Sequence, residues 1–333
     1  MSFYDSIKLE KGMYSGEGFT KTLEKLDPSE NYENTELAGL DAFGRQLKRF
    51  DIKVSGPNSD VVEKFFRTSD SAVLFPEYIS RAVKQGMDEA NVLPELVATT
   101  TQIEGMDYRT ITSDISDGTD ELNDVAEGAS IPQITVRTQD NLVKLHKRGR
   151  MLVSSYEALR FQHLDVFTVI LKQIGSYIAS AQLDDAVDVL LNGDGNNNPA
   201  TGNTKAGSTL DYNDLVTLWT SLSPYKMTTM LGNSKALKAI LSISEMKDAN
   251  AGLNFHGTGN LVTPAGANLI HVPNFATDKI IGIDKNCALE MVQASDIIID
   301  NDKIIDRQLE RTCVSAITGF AKIFNGATKT MTV

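Results

Sequence analysis

Asp184, Asp185 and Asp188 fall close together in a stretch of helical periodicity, and paired carboxylates are what acid–base hydrolysis needs. An acid-dependent hydrolase built on them is therefore one reading; a solvated helix face is the plainer one. The four histidines, His146, His163, His256 and His271, make no HExxH arrangement and have no cysteine at zinc-site spacing. His256 sits in Asn254–Gly259, which reads as a surface loop. Cys287 and Cys313 have apolar neighbours and read as packing residues rather than nucleophiles. Gly193-Asp194-Gly195 lacks the third glycine of a dinucleotide loop, and neither a Walker A sequence nor a GxSxG elbow occurs. The segment from Asp114 to Glu127 carries six acids, Asp114, Asp117, Asp120, Glu121, Asp124 and Glu127, and no Lys or Arg. As a calcium loop it fails, because placing Gly118 at the invariant glycine puts Ser113 and Ile115 where ligands belong. No catalytic constellation emerges, and no cofactor or metal is expected.

The elements around these residues are more telling. Residues 1–65 are densely charged and punctuated by glycine and proline, with one amphipathic helix near 35–50 carrying Leu37, Leu40, Phe43, Leu47 and Phe50. So many anchors on a short helix predict an arm docked on a body, its own or a neighbour's. A helix is expected at Pro76–Met87 and a strand at Ala98–Ile103. From Met106 to Val153 the pattern is one long hairpin, leaving along Tyr108–Thr112 and returning through Ile134, Val136 and Thr138. The acid-rich segment is its tip. Lys144, His146, Lys147, Arg148 and Arg150 form a basic cluster on the return side. Tip and cluster lie at opposite ends of one hairpin. Because a long two-stranded hairpin is marginal alone in water, it should lie across another subunit, with the acids facing that subunit's Lys144, Lys147, Arg148 and Arg150.

A helix of ~40 Å is expected over Asp165–Leu191, stopped by Asn192-Gly193-Asp194-Gly195. Asn192–Ser208 reads as a loop too polar to bury. Helices at 211–222 and Ser234–Ser242 follow, with strands at Thr228–Leu231, Leu269–Val272, Lys279–Ile283, Asp296–Asp300 and Thr312–Phe324. The fold class is α+β, in more than one packed unit, since 333 residues exceed what one core usually serves.

The 32 basic residues stand against 44 acidic ones, a net charge of −12. That argues against gripping nucleic acid through phosphates, though not against enclosing it. No signal-peptide pattern and no membrane-length apolar run is present, and two cysteines imply no disulfide framework. A soluble protein made in a cytoplasm is expected.

Val125-Ala126-Glu127-Gly128-Ala129-Ser130-Ile131-Pro132 resembles the "AEGA.IP" segment of tailed-bacteriophage major capsid proteins. Val153–Leu159 resembles that family's entry to its spine helix, and Leu190–Gly195 its "LLNGDG" exit. The resemblance covers roughly 70–333 and implies the icosahedral shell fold shared with encapsulins. It implies an N-terminal arm (1–68), an extended loop (106–150), a peripheral domain with the spine helix (69–105, 151–206, 311–333) and an axial domain (207–310). It implies a non-enzymatic protein, self-assembling as hexamers and pentamers around double-stranded DNA in the host bacterial cytoplasm. The partners implied are copies of the chain, a portal and a separate scaffolding protein unless none is needed; decoration proteins stay open. An encapsulin-type compartment shell is the alternative. Some members of the family join subunits by Lys–Asn isopeptide bonds from the extended loop. This chain has no Lys between Lys84 and Lys144, so no such crosslink from the loop's tip or outgoing strand is expected.

Overall fold

The computed structural model describes residues 4–10, 13, 18–115, 124–129, 131, 134–155, 161–247, 266–275, 278–304, 306 and 309–333. The helices are α1 (Phe19–Leu26), α2 (Ala42–Arg49), α3 (Ser69–Ala90), α4 (Leu164–Asn192), α5 (Tyr212–Ser221), α6 (Ser234–Ser242) and α7 (Ser244–Lys247). The strands are β1 (Val97–Gln102), β2 (Ile111–Ile115), β3 (Ile134–Thr138), β4 (Leu145–Ser155), β5 (Thr201–Thr204) and β6 (Thr229–Gly232). They continue with β7 (Asn268–His271), β8 (Lys279–Ile283), β9 (Leu289–Ile304), β10 (Leu309–Lys322) and β11 (Thr328–Thr332). Among the described residues three sheets result, ordered β1-β9-β10-β4, β5-β11-β8-β6-β7 and β2-β3. The chain divides into one unit of residues 1–90, 149–179 and 297–316, and a second of 91–148, 180–296 and 317–333.

In the first unit, α1, α2 and the preceding Leu9 pack on α3 and the first half of α4 through Phe19, Leu23, Phe43, Leu47, Leu74, Ile79 and Leu171. The expected amphipathic helix is thus realised as Ala42–Arg49, with Leu37 buried just before it and Leu40 left 36% exposed. Its N-cap, Asp41, accepts from the Gly44 N–H at 2.8 Å. Arg45, wholly buried, donates through Nε to Asp27 Oδ2 at 2.7 Å and through Nη1 to the Leu40 carbonyl at 2.7 Å, with the Tyr32 ring 4.4 Å away. Tyr32 donates to the same carboxylate at 2.6 Å, so this buried charge pair is enclosed in hydrogen bonds.

Helix α3 begins at Ser69 rather than Pro76. Thr68 Oγ1 accepts from the Ser71 N–H at 3.1 Å while Ser71 Oγ accepts from the Thr68 N–H at 3.2 Å, a reciprocal cap that starts the helix two turns early. Pro76 lies inside it, held by burial of Leu74, Phe75 and Tyr78. Phe75 stacks on Phe167 with centroids 6.1 Å apart. The Tyr78 hydroxyl reaches the Leu164 carbonyl at 2.9 Å, and burial pushes its pKa up to about 12. A Cβ on Gly86 would lie 2.1 Å from the Lys172 carbonyl oxygen, and one on Gly175 2.1 Å from that of Val83, so α3 and α4 touch backbone to backbone.

In the second unit the five-stranded sheet is covered on both faces. Met230, Ile280 and Met331 point to one side, under Leu215 and Leu218 of α5 and Leu237 and Ile240 of α6. Their strand neighbours Leu231, Ile281 and Ile283 point to the other, against Leu183, Val187 and Leu190 of α4. The Asn192–Ser208 stretch is not all loop: Thr201–Thr204 pairs in parallel with β11. Strand β9 is sixteen residues long, well beyond the expected Asp296–Asp300.

Two stability outcomes follow. Gly86→Ala should cost ~1–3 kcal/mol by overpacking, where alanine would otherwise favour a helix, and lower the thermal midpoint relative to Gln85→Ala. Asp27→Ala, which strands Arg45, should cost ~3–5 kcal/mol in denaturant unfolding.

Candidate functional site

The hairpin is fixed at its root by a buried carboxylate. Glu290, on β9 and 5% exposed, accepts at Oε1 from Thr101 Oγ1 at 2.5 Å and the Tyr108 hydroxyl at 2.7 Å, and at Oε2 from Thr110 Oγ1. Burial, reinforced by that carboxylate, holds the Tyr108 pKa above the usual phenol value. The Val143 N–H donates to the Tyr108 carbonyl at 2.8 Å and the Gln139 N–H to that of Thr110 at 2.9 Å, closing the two sides on each other.

The polar segment after α4 completes the root. Asn141 donates through Nδ2 to the Gly195 carbonyl at 2.8 Å and through its N–H to Asn196 Oδ1 at 3.0 Å, while Asn196 Nδ2 bonds Gln139 Oε1. Asp194 takes the Asn196 N–H at 3.1 Å and the Lys322 N–H at 2.9 Å. Lys322 is fully buried and its Nζ donates to the Asn198 carbonyl at 2.9 Å. Burial lowers its pKa from 10.5 to about 8. Sequence reading missed this cluster: the segment reads as a solvated loop, and it is exposed or half-buried over most of its length, yet Asn141, Asn196 and Gln139 bond one another across the root.

Beyond the root, β2 and β3 pair antiparallel, with Ile111 opposite Thr138, Ser113 opposite Val136 and Ile115 opposite Ile134. Directly opposed residues share a face, so one face carries the aliphatics and the other Thr112, Arg137 and Thr135. Ile111, Ile134 and Val136 are 57–63% exposed.

Of the six tip acids, Asp124 and Glu127 are exposed and Asp114 lies in β2. Asp117, Asp120 and Glu121 lie outside the described residues, as do Tyr156–Leu159, Pro132 and His256. The basic cluster separates by position. Lys144 and Lys147 are exposed. Arg148 donates through Nε to Asp185 Oδ2 at 2.9 Å and through Nη2 to Oδ1, which raises its own pKa; His146 Nδ1 lies 3.1 Å from Oδ1. Arg150 stacks 4.8 Å from the Tyr177 ring centre. Since β4 edges its sheet, these cations also discourage stray strand pairing along it.

Asp185 is therefore not on a solvated face: it is 9% exposed and bound by Arg148. Asp184 and Asp188 accept from Asn274 at 2.9 Å and Asn192 at 2.6 Å. Among the described residues no three His, Cys, Asp or Glu side chains group to hold a metal, and no helix is long and apolar enough to cross a membrane. Both cysteines are partly buried, and burial raises the Cys287 thiol. Separately, the first unit carries a groove of about 830 Å³ lined by Leu40, Phe43, Leu47, Ile52, Tyr78 and Val169 among others.

Comparison with solved structures identifies the fold. The virus-like particle protein of Pyrococcus furiosus is 14% identical, aligned over 77% of this chain and 98% of its own, with a TM-score of 0.51. The capsid protein of a native GTA particle is 18% identical over 72% of this chain and 90% of its own, also at 0.51. The capsid protein of Cyanophage P-SCSP1u is 10% identical over 72% and 86%, at 0.49. The chain has the α+β fold of phage capsid shells. Residues 138–299, just under half of the chain, match the model of the phage capsid protein family. No curated protein matches it in sequence.

Lys322 sets a pH dependence. Between about pH 8 and 10.5 the unfolded chain still holds a proton that the folded chain has released, so this residue makes stability rise with pH across that window. Unfolding midpoints at pH 7 and pH 10 should show the native chain gaining on Lys322→Met; parallel shifts would mean that the amine is not buried as a charge.

Proposed function

We propose that the chain is the major capsid protein of a tailed bacteriophage, assembling as hexamers and pentamers into an icosahedral shell around double-stranded DNA. The observation that carries this reading is a firmly rooted hairpin whose Ile111, Ile134 and Val136 face is exposed, in a chain with the phage capsid domain. Such a face gains its stability by lying across a second copy. In this reading 1–68 is the arm, 106–150 the extended loop, 207–310 the axial domain, and the remainder the peripheral domain built on α4 as spine helix. The net charge of −12 suits an inner surface from which DNA must slide and be released. A portal and a separate scaffolding protein are the partners, and the host cytoplasm the place of assembly. The acids Asp114, Asp117, Asp120, Glu121, Asp124 and Glu127 are assigned to subunit contact, with Lys144 and Lys147 as exposed cations on the receiving side and Arg148 and Arg150 held by their own Asp185 and Tyr177.

A compartment shell that encloses proteins is the second reading, favoured by the apolar groove of the first unit, which would suit a cargo segment. Expression alone, followed by light scattering and electron microscopy of the large fraction, tests both. Closed shells or capsomer rings are expected. Shells that carry a defined co-expressed protein would move the assignment to the compartment reading, and a monomer that stays monomeric with scaffold added would refute both. Replacing Ile111, Ile134 and Val136 together by serine should leave the unfolding midpoint nearly unchanged while lowering shell yield at least ~10-fold.

A further inference from the structure

Helix α4 is apolar on two faces. Phe167, Leu171, Ile174 and Ile178 are buried in the core of the first unit. Beside that stripe, within an arc of ~100°, stand Val166, Val169, Ile170, Gln173 and Tyr177, all exposed. The four apolar ones keep 44–66% of their surface. Single exposed aliphatics are ordinary, but four along about three turns of one helix, with no charge among them, mark a contact face. The two ends of the stripe differ in charge. Asp165 lies at the first turn, its Oδ1 accepting from the Gly56 N–H at 3.1 Å. At the other end Arg150 stacks on Tyr177, which leaves its charge unneutralised; it is exposed and has no carboxylate partner among the described residues.

The hairpin presents a face of the same kind. Ile111, Ile134 and Val136 share it with Ser113 and Thr138, again without a charge. Its five paired residues at ~3.4 Å each and the stripe's twelve at ~1.5 Å each both run for ~17–18 Å. From this match we infer that the β2–β3 ribbon of one copy lies along the exposed stripe of α4 in a second copy, aliphatic face down, with its acid-rich loop toward Arg150. The inference rests on the shell reading and names the surface that the hairpin meets. Apolar contact supplies the affinity, and the end charges set the direction, since the reverse would bring the loop's exposed Asp124 and Glu127 toward Asp165. Pairing α4 with α4 would leave the ribbon bare, whereas ribbon on helix covers both faces at once.

The test mixes two full-length variants, one carrying Val136→Cys and the other Val169→Cys, lets them assemble, and treats them with a short bismaleimide. Mass spectrometry of the tryptic peptides should find 136 joined to 169 at least tenfold more often than 136 to 136 or 169 to 169. For direction, Ile134→Cys should join Tyr177→Cys in preference to Val166→Cys. Val169→Asp in the native chain should leave the unfolding midpoint nearly unchanged and cut shell yield at least tenfold. Shells without the 136–169 junction would overturn the inference and leave the shell reading standing, as would a dominant 169–169 junction (helix on helix) or 136–136 junction (ribbon on ribbon). If the native chain makes no shells, the same mixture is crosslinked in concentrated solution. A 136–169 junction there would keep the inference against the shell reading, and its absence would sink both.

Discussion

A carboxylate taken out of water must have its oxygens occupied by donors, and Glu290 has recruited three hydroxyls to do so. Thr101, Tyr108 and Thr110 come from either side of the bend that launches the hairpin, so satisfying one buried charge fixes where the strand pair starts. The amide cluster around Asn196 and Asn198 then holds the returning side. A two-stranded ribbon has little stiffness of its own. Its direction is inherited from these polar anchors, while its aliphatic face stays exposed.

The parts of the fold legible in the sequence are those with local causes. Helix α6 begins where Asn233 caps it, accepting from the Ala236 N–H at 2.9 Å, and the run Lys279–Ile283 forms a strand at the expected residues. The long helix α4 was readable from its unbroken apolar stripe and its glycine stop. Tertiary causes were not. Pro76 looks like a helix start, yet packing of Phe75 and Tyr78 carries it inside α3. Strand β9 is interrupted in sequence by Glu290, Gln293 and Ser295, and is continuous because distant residues pair with it, as Thr101 does with Val292. Arg45 and Lys322 could not be foreseen in the interior, since only their partners, Asp27 and Asn198, make burial tolerable.

The candidate site was legible in outline: the hairpin, its aliphatic return strand and its acidic end all stand in the sequence. Two corrections came from long-range geometry. Asp185 left the solvated face for a bidentate contact with Arg148, thirty-seven residues away, removing one member from both the carboxylate group and the basic cluster. The asparagine-rich stretch after α4, exposed or half-buried over most of its length as expected, became a polar bracket around the buried Asn198, because amides can serve each other as donors and acceptors where carboxylates would only repel.

The acid-rich loop has a consequence for the solitary subunit. On the shell reading, newly made chains meet one another with their hairpins uncovered, and two uncovered ribbons are natural partners for each other edge to edge. With six negative charges and no positive one at each end, two such loops repel, so like avoids like and the ribbon stays unpaired until it meets a surface of different chemistry. On that reading the charge of the loop serves as a chaperone carried in cis, selecting the productive encounter by forbidding the nearest wrong one.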